Sequence, residues 1–220
     1  MDKKLIIFGN GRQAKCVYKI LKFEGIEASS FCVDEEYCIE DTFLEKPLHS
    51  SKYVLENFSP KEYILFFPLS PVNKCIFRKE RFVFFKSHGY EFLTFISKFS
   101  LIYSDLDKIG DNVFIGANSI LHPDVIVDDN CYLSEGTKIG HDSHIKSHCF
   151  IGPETTICGS CIIGERVTTG AGTVIRENLE IVEGTVLGLG ISVHRSITKP
   201  RIYLYTPIEE SHYAHSTKKT

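Results

Sequence analysis

The 220-residue sequence predicts two structural regimes in one chain: an α/β front domain with a short parallel sheet, then a parallel β-solenoid. Three observations predict this. From Ile109 onward an apolar residue recurs at every sixth position without a slip. Before residue 100, apolar runs alternate with helical patterns. A hydrophobic content of 43% with a net charge of -3 describes a chain that can bury a core and lacks the basic excess that phosphate-backbone binding wants.

The front domain opens with Lys4–Phe8, an apolar strand ending in Gly9-Asn10-Gly11-Arg12-Gln13-Ala14. A helical face of Ala14, Val17, Ile20 and Leu21 follows. Ala28–Val33 reads as a second strand ending at Asp34, Tyr63–Phe67 as a third, residues 73–88 as a basic helix and Glu91–Ile96 as a fourth strand. Gly9-x-Gly11-x-x-Ala14 after the first strand has the form of a dinucleotide fingerprint, which makes the domain Rossmann-like. Its glycines let a backbone approach a phosphate at a helix N-terminus. Gly9, Asn10, Gly11 and Arg12 are therefore candidates for nucleotide binding. Asp34 is the candidate acid for a ribose or base. The domain is short for a full dinucleotide fold, and a nucleotide sugar suits it better than NAD.

The step of six then runs from Ile109 to Leu187, and thirteen of its fourteen positions are Ile, Leu or Val, the exception being Thr169. Four residues after each anchor stands a smaller or β-branched residue, from Val113 to Ile191. Gly follows seven anchors, as at Gly110, Gly140, Gly170 and Gly188, and is read as the corner residue that takes unusual backbone angles. Six is not a multiple of 3.6, so a helix is excluded, and hairpin turns would not recur so regularly.

The eight cysteines stand mostly inside apolar runs and read as small buried hydrophobes. Cys158-x-x-Cys161 has metal-ligand spacing but no second pair nearby, so no metal site is expected. No run approaches the roughly 18 apolar residues of a membrane-spanning helix. Met1-Asp2-Lys3-Lys4 leads straight into the first strand without the features of an export signal. The expectation is a soluble, cytoplasmic protein.

Ile109-Gly-Asp-Asn-Val-Phe114 and Ile115-Gly-Ala-Asn-Ser-Ile120 resemble the hexapeptide-repeat family, whose coils form a left-handed β-helix of three hexapeptides per turn. With Ile6–Gly11, Phe31–Tyr37, Gly89–Phe92 and Ile139-Gly140-His141-Asp142-Ser143, nearly the whole chain resembles bacterial sugar acyltransferases of that family, of the sialic-acid O-acetyltransferase and nucleotide-aminosugar N-acetyltransferase type. The resemblance implies acetyl-CoA as cosubstrate and a homotrimer with active sites between subunits. It also implies His141 as general base on the sugar amine or hydroxyl.

The chemistry agrees, since an imidazole titrates near cellular pH and can take the proton of an attacking nucleophile. Asp142 is the candidate partner for that ring, provided the two residues lie on a corner, because neighbours on a strand point to opposite faces. Gly170 and Gly188 are candidate approaches for the pantetheine arm of CoA. His144 and His148 read as solvated surface residues. The second histidine that several relatives carry is absent, with Phe150 or Glu154 at the aligned place, and the usual C-terminal ending is replaced by Lys199–Pro207.

The expected boundaries are residues 1–100 for the nucleotide-sugar-binding domain, 101–195 for the β-helix and 196–220 for a tail. The leading expectation is N-acetylation of a dTDP- or UDP-linked amino-dideoxy sugar for a surface polysaccharide. O-acetylation of a sugar such as sialic acid, and a non-catalytic nucleotide-binding repeat protein, are the alternatives.

Overall fold

A computed structural model describes residues 3–204. The front domain follows the order expected, with additions. Strand β1 (Lys4–Phe8) leads into helix α1 (Arg12–Phe23) and strand β2 (Ala28–Val33). The short strands β3 (Thr42–Phe43) and β4 (Lys46–Ser50) and helix α2 (Ser51–Asn57) were not foreseen. Strand β5 (Tyr63–Phe66), helix α3 (Ile76–Ser87) and strand β6 (Glu91–Phe92) complete the domain. The sheet order is β3-β4-β2-β1-β5-β6, parallel except for the β3 edge. Chain order reverses between β1 and β5, so their C-terminal ends form the crevice where open parallel sheets take ligands.

Behind it stands a left-handed parallel β-helix built of two-residue strands. Three sheets form a triangular prism. We call the sheet carrying Phe114, Tyr132, Phe150, Thr168 and Val186 the docking face. The second face carries Ile120, Lys138, Thr156 and Val174, and the third carries Ile126, His144, Ile162 and Glu180. Both inward registers behave as expected: the anchors from Ile115 to Leu187 are buried, and so are Val113, Ser119, Cys131, Thr137, Ser143, Cys149, Thr155 and Cys161. Strand pairing runs past both expected ends of the solenoid. Phe95–Ile96, read from sequence as part of the last front-domain strand, pairs with Phe114–Ile115, and Ile202–Tyr203 pairs with Val186–Leu187.

The corners correct the sequence reading of glycine. Positive φ falls three residues after each anchor, at 112, 118, 124, 130 and onward every six to 190, and ten of these fourteen positions are not glycine. Asn and Asp occupy six of them, the residue types that tolerate this region best. The glycines directly after anchors serve another purpose, which is close stacking. A Cβ at Gly164 would lie 2.5 Å from the Glu183 N of the next coil, and one at Gly140 would lie 2.4 Å from Gly159 N.

The front domain packs on the docking face through a column of rings. Phe114, Tyr132 and Phe150 stack with centroids 4.3 and 4.9 Å apart, and Phe66 of β5 joins at 6.5 Å from Phe114. Each such pair adds about 0.5–1.5 kcal/mol beyond the area it buries. The domain also grips both edges of that face. On one edge Lys86 bonds Asp111 and Asp129, and Lys79 bonds Glu165. On the other, Glu24 accepts from Ser97 Oγ (2.6 Å).

Candidate active site

His141 and Asp142 follow the strand Lys138–Ile139 and turn the corner into His144–Ile145. Asp142 has φ 58°. This turn meets the condition set by the sequence, because adjacent residues at a corner can face one another. The Asp142 Oδ2 lies 2.7 Å from His141 Nδ1, and both side chains are about 60% exposed, at 64% and 60%. With the carboxylate accepting the Nδ1–H, Nε2 carries the lone pair and has no hydrogen-bond partner among the described residues.

The ring lies over Gly159 of the next coil. A Cβ there would stand 2.7 Å from His141 Nε2 and 2.9 Å from Cε1. Sequence reasoning missed Gly159. The signal was available, since three hexapeptides per coil place residue 159 directly beside 141. The His141 carbonyl accepts from Ser160 N (2.8 Å), which fixes the backbone on which the ring stands.

The other histidines of the segment part from expectation. His144 is half-buried and bonds Asp128 Oδ1 at 2.8 Å. His148 is not a surface residue: it is buried against the front domain, where its Nδ1 accepts from Asn130 Nδ2 at 2.7 Å and Phe82 packs edge-on. Burial pushes its pKa down to about 4. Among the described residues no group of three metal-ligating side chains forms. Five of the eight cysteines are buried, but Cys16 is exposed and Cys38 and Cys158 are half-buried.

In the front domain Gly9 has φ +119°, which only glycine adopts readily, and Leu69 and Ala14 close around it. Gly11 caps α1 with an ordinary φ of −90° and nothing within 4 Å of a Cβ position, so neither backbone nor packing demands glycine there. Arg12 starts α1 and is exposed, and Asn10 Nδ2 donates to Tyr37 O (3.3 Å). Asp34 is buried at the end of β2, where its Oδ1 accepts from Arg81 (3.0 Å) and Ser51 Oγ (3.1 Å).

One chain does not bring these two sets of residues together. The front domain occupies the docking face and its two edges, whereas His141 lies on the remaining vertex, between the second and third faces. Within one chain His141 is therefore on the vertex that the front domain does not cover. Gly170 and Gly188 lie at the edge between docking and second faces, away from His141. Close stacking accounts for both: a Cβ at Gly170 would be 2.6 Å from Gly188 C, and one at Gly188 would be 3.2 Å from Tyr203 O.

Residues 108–141 and 142–177 match the bacterial transferase hexapeptide family (six repeats). A search of curated proteins finds no match. Among solved structures the chain is similar to PerB from Caulobacter crescentus in complex with CoA and GDP-perosamine, with 20% identity over 90% of this chain and 91% of that one and a TM-score of 0.77. It is similar to the acetyltransferase domain of PglB from Neisseria gonorrhoeae, with 17% identity over 93% and 98% and a TM-score of 0.80. WeeI from Acinetobacter baumannii matches with 14% identity over 86% and 95% and a TM-score of 0.60. The solenoid of this chain thus carries the bacterial transferase hexapeptide repeat, and front domain and solenoid together have the fold of these sugar acetyltransferases.

Proposed function

We infer that this chain is an acetyl-CoA-dependent N-acetyltransferase whose acceptor is the amino group of a nucleotide-linked amino-dideoxy sugar. The observation that carries this reading is the exposed His141–Asp142 pair, with the carboxylate on Nδ1 and Nε2 open. In the reaction the sugar amine attacks the thioester carbonyl while Nε2 takes a proton from the nitrogen. A C–N bond forms, the C–S bond breaks, and the thiolate leaves with the proton held by the imidazolium. The Gly159 N–H beneath the ring is bonded to no acceptor among the described residues and suits the developing oxyanion. Asp142 orients the ring and stabilises its cation.

Gly9 to Arg12 and the N-terminus of α1 would take the diphosphate, and the end of β2 at Asp34 the nucleoside. Because His141 stands on the vertex that the front domain of its own chain leaves uncovered, the reading has His141 serve the crevice of a neighbouring copy, as in a trimer. The assignment of Gly170 and Gly188 to the pantetheine arm would in addition require a neighbouring copy to bring them to His141. Among the described residues no helix is long and apolar enough to cross a membrane. A cytoplasmic setting and a role in surface-polysaccharide synthesis belong to the same proposal. The sequence reading named dTDP or UDP. The GDP-perosamine bound to the similar chain adds GDP to the panel.

The test is release of free thiol from acetyl-CoA with GDP-, UDP- and dTDP-linked amino sugars. Thiol release with one of them, lost in His141→Ala, is expected. A folded protein that releases none and shows no thermal shift with acetyl-CoA would overturn the assignment.

A further inference from the structure

Arg78 of α3 is the only arginine or lysine buried among the described residues, at 1% exposure, and it forms no ion pair among them. Its guanidinium binds carbonyls instead. Nη1 donates to the oxygens of Phe67 (3.4 Å) and Leu69, and Nη2 donates to the Asn130 carbonyl (2.9 Å) and Oδ1 (3.2 Å). Phe67 and Leu69 begin the loop from β5 to α3, which walls the crevice, and Leu69 reaches 3.5 Å from a Cβ position at Gly9. Asn130 is a solenoid corner residue held in turn by Asn112 Nδ2 (2.7 Å) and His148. Asn112 Oδ1 accepts from Phe67 N (2.8 Å). Farther along the same loop Asn73, Lys74 and Cys75 all have positive φ, a run that non-glycine residues keep only when their surroundings hold it.

We propose that Arg78 is a positioning residue for the nucleotide sugar: it clamps the β5–α3 loop to the solenoid and lends that wall of the crevice an unpaired positive charge suited to a diphosphate. A purely structural cross-link between domains would need no ion; an amide or an apolar side chain would avoid the desolvation cost. A cation bonded only to carbonyls keeps its field, and the loop it holds touches Gly9 at the phosphate-binding turn. The inference rests on the nucleotide-sugar reading of the crevice.

The test uses the full chain with GDP, UDP and dTDP, and the matching nucleosides, as calorimetric probes. The variants are Arg78→Lys, which keeps the charge and loses the fork, and Arg78→Met. One unit charge at about 10 Å and an effective dielectric near 20 changes an affinity by roughly tenfold. Arg78→Met is expected to weaken the preferred nucleoside diphosphate by at least that factor. Its effect on the nucleoside alone should be smaller, and acetyl-CoA affinity should stay within twofold. Arg78→Lys should recover the difference between diphosphate and nucleoside but not the full affinity. Equal diphosphate affinity in wild type and folded Arg78→Met would overturn the proposal. If Arg78→Met does not fold, Arg78→Lys decides, since it keeps the charge and loses the fork that reaches Phe67, Leu69 and Asn130 together: wild-type affinity for diphosphate and nucleoside alike there refutes the positioning role. Failure of the wild type to bind any of the probes would instead refute the nucleotide reading beneath it.

Discussion

Replacing Gly159 by alanine isolates the placement of the His141 ring from the rest of the fold. The backbone at Gly159 is not in the positive-φ region, and the atoms that a Cβ would meet are His141 Nε2 at 2.7 Å, Cε1 at 2.9 Å and Cδ2 at 3.1 Å. No backbone atom is among these three contacts, so the strain falls on an exposed ring that can swing aside. The fold should therefore tolerate the change, with a stability loss of about 0.5 kcal/mol or less, as is usual for surface substitutions. To regain van der Waals distance the ring must move by about 1 Å, and misplacement of that size costs on the order of 10²-fold in rate. The assay is steady-state thiol release together with thermal melts. Gly159→Ala should lower kcat by about one to two orders of magnitude with an unchanged Tm. In the His141→Ala background it should do almost nothing further, because there is no ring left to displace. A Gly159→Ala enzyme with wild-type kcat, or one whose defect adds fully to that of His141→Ala, would refute the reasoning.

His141→Ala and His141→Asn should lower kcat by about 10²–10⁴-fold without unfolding the chain. With an amine acceptor the defect should shrink as pH rises and more free base forms, and a kcat equal to wild type from pH 6 to 9 would remove His141 from the mechanism. The two classes of glycine should separate: Gly164→Ala, with backbone of the next coil 2.5 Å from its Cβ, should lose about 1–3 kcal/mol of stability by overpacking. Gly11→Val, with open space, should leave Tm alone and raise the KM for nucleotide sugar only. His148, held neutral with a pKa pushed down to about 4, contributes stability that is present above its ordinary 6.5 and is lost as pH falls through that window. The full drop from 6.5 to about 4 corresponds to roughly 3–4 kcal/mol. Denaturant melts at pH 7.5 and 4.5 should show the loss, and His148→Gln should flatten it; equal pH slopes would remove His148 as its source. Glu165, Asp129, Lys79 and Arg78 face the same ring and set the background.

The solenoid was legible because each coil repeats one problem: an apolar side chain must enter a narrow prism at every sixth residue. The purpose of the glycines after the anchors was not legible, since spacing alone does not tell a corner from a close approach between coils. The His141–Asp142 pair was visible as a motif, and the six-residue phase placed it near a corner. His148 was misread because its phase matches that of Asp142, and only the docking of the front domain buries one vertex and leaves the other open. Strand β4 escaped notice because Lys46–Ser50 is short and polar, and Leu48 is its buried residue. Asp34 stood at the strand end where a nucleotide acid was expected, but its partner Arg81 lies 47 residues on and no local pattern announces it.

The corner residues show how the repeat produces two unlike surfaces from one backbone requirement. The vertex under the front domain reads Asn112, Asn130, His148, Arg166 and Gly184, all with positive φ. The open vertex reads Asp124, Asp142, Ser160 and Asn178 in the same conformation. Asn and Asp are at home there because their short polar side chains bond locally. On the covered vertex the amides turn outward: Asn112 Oδ1 accepts from the Phe67 N–H, and Asn130 accepts from the Arg78 guanidinium through Oδ1 and donates to the Arg78 carbonyl through Nδ2, which spares them burial without partners. On the open vertex Asp142 turns back to the residue before it and takes the His141 Nδ1–H, so a conformation that the coil already demands also fixes the tautomer of the ring. The pair therefore needs no additional backbone strain. What distinguishes it from the other thirteen corners is the histidine that precedes the acid and the glycine that faces it one coil on.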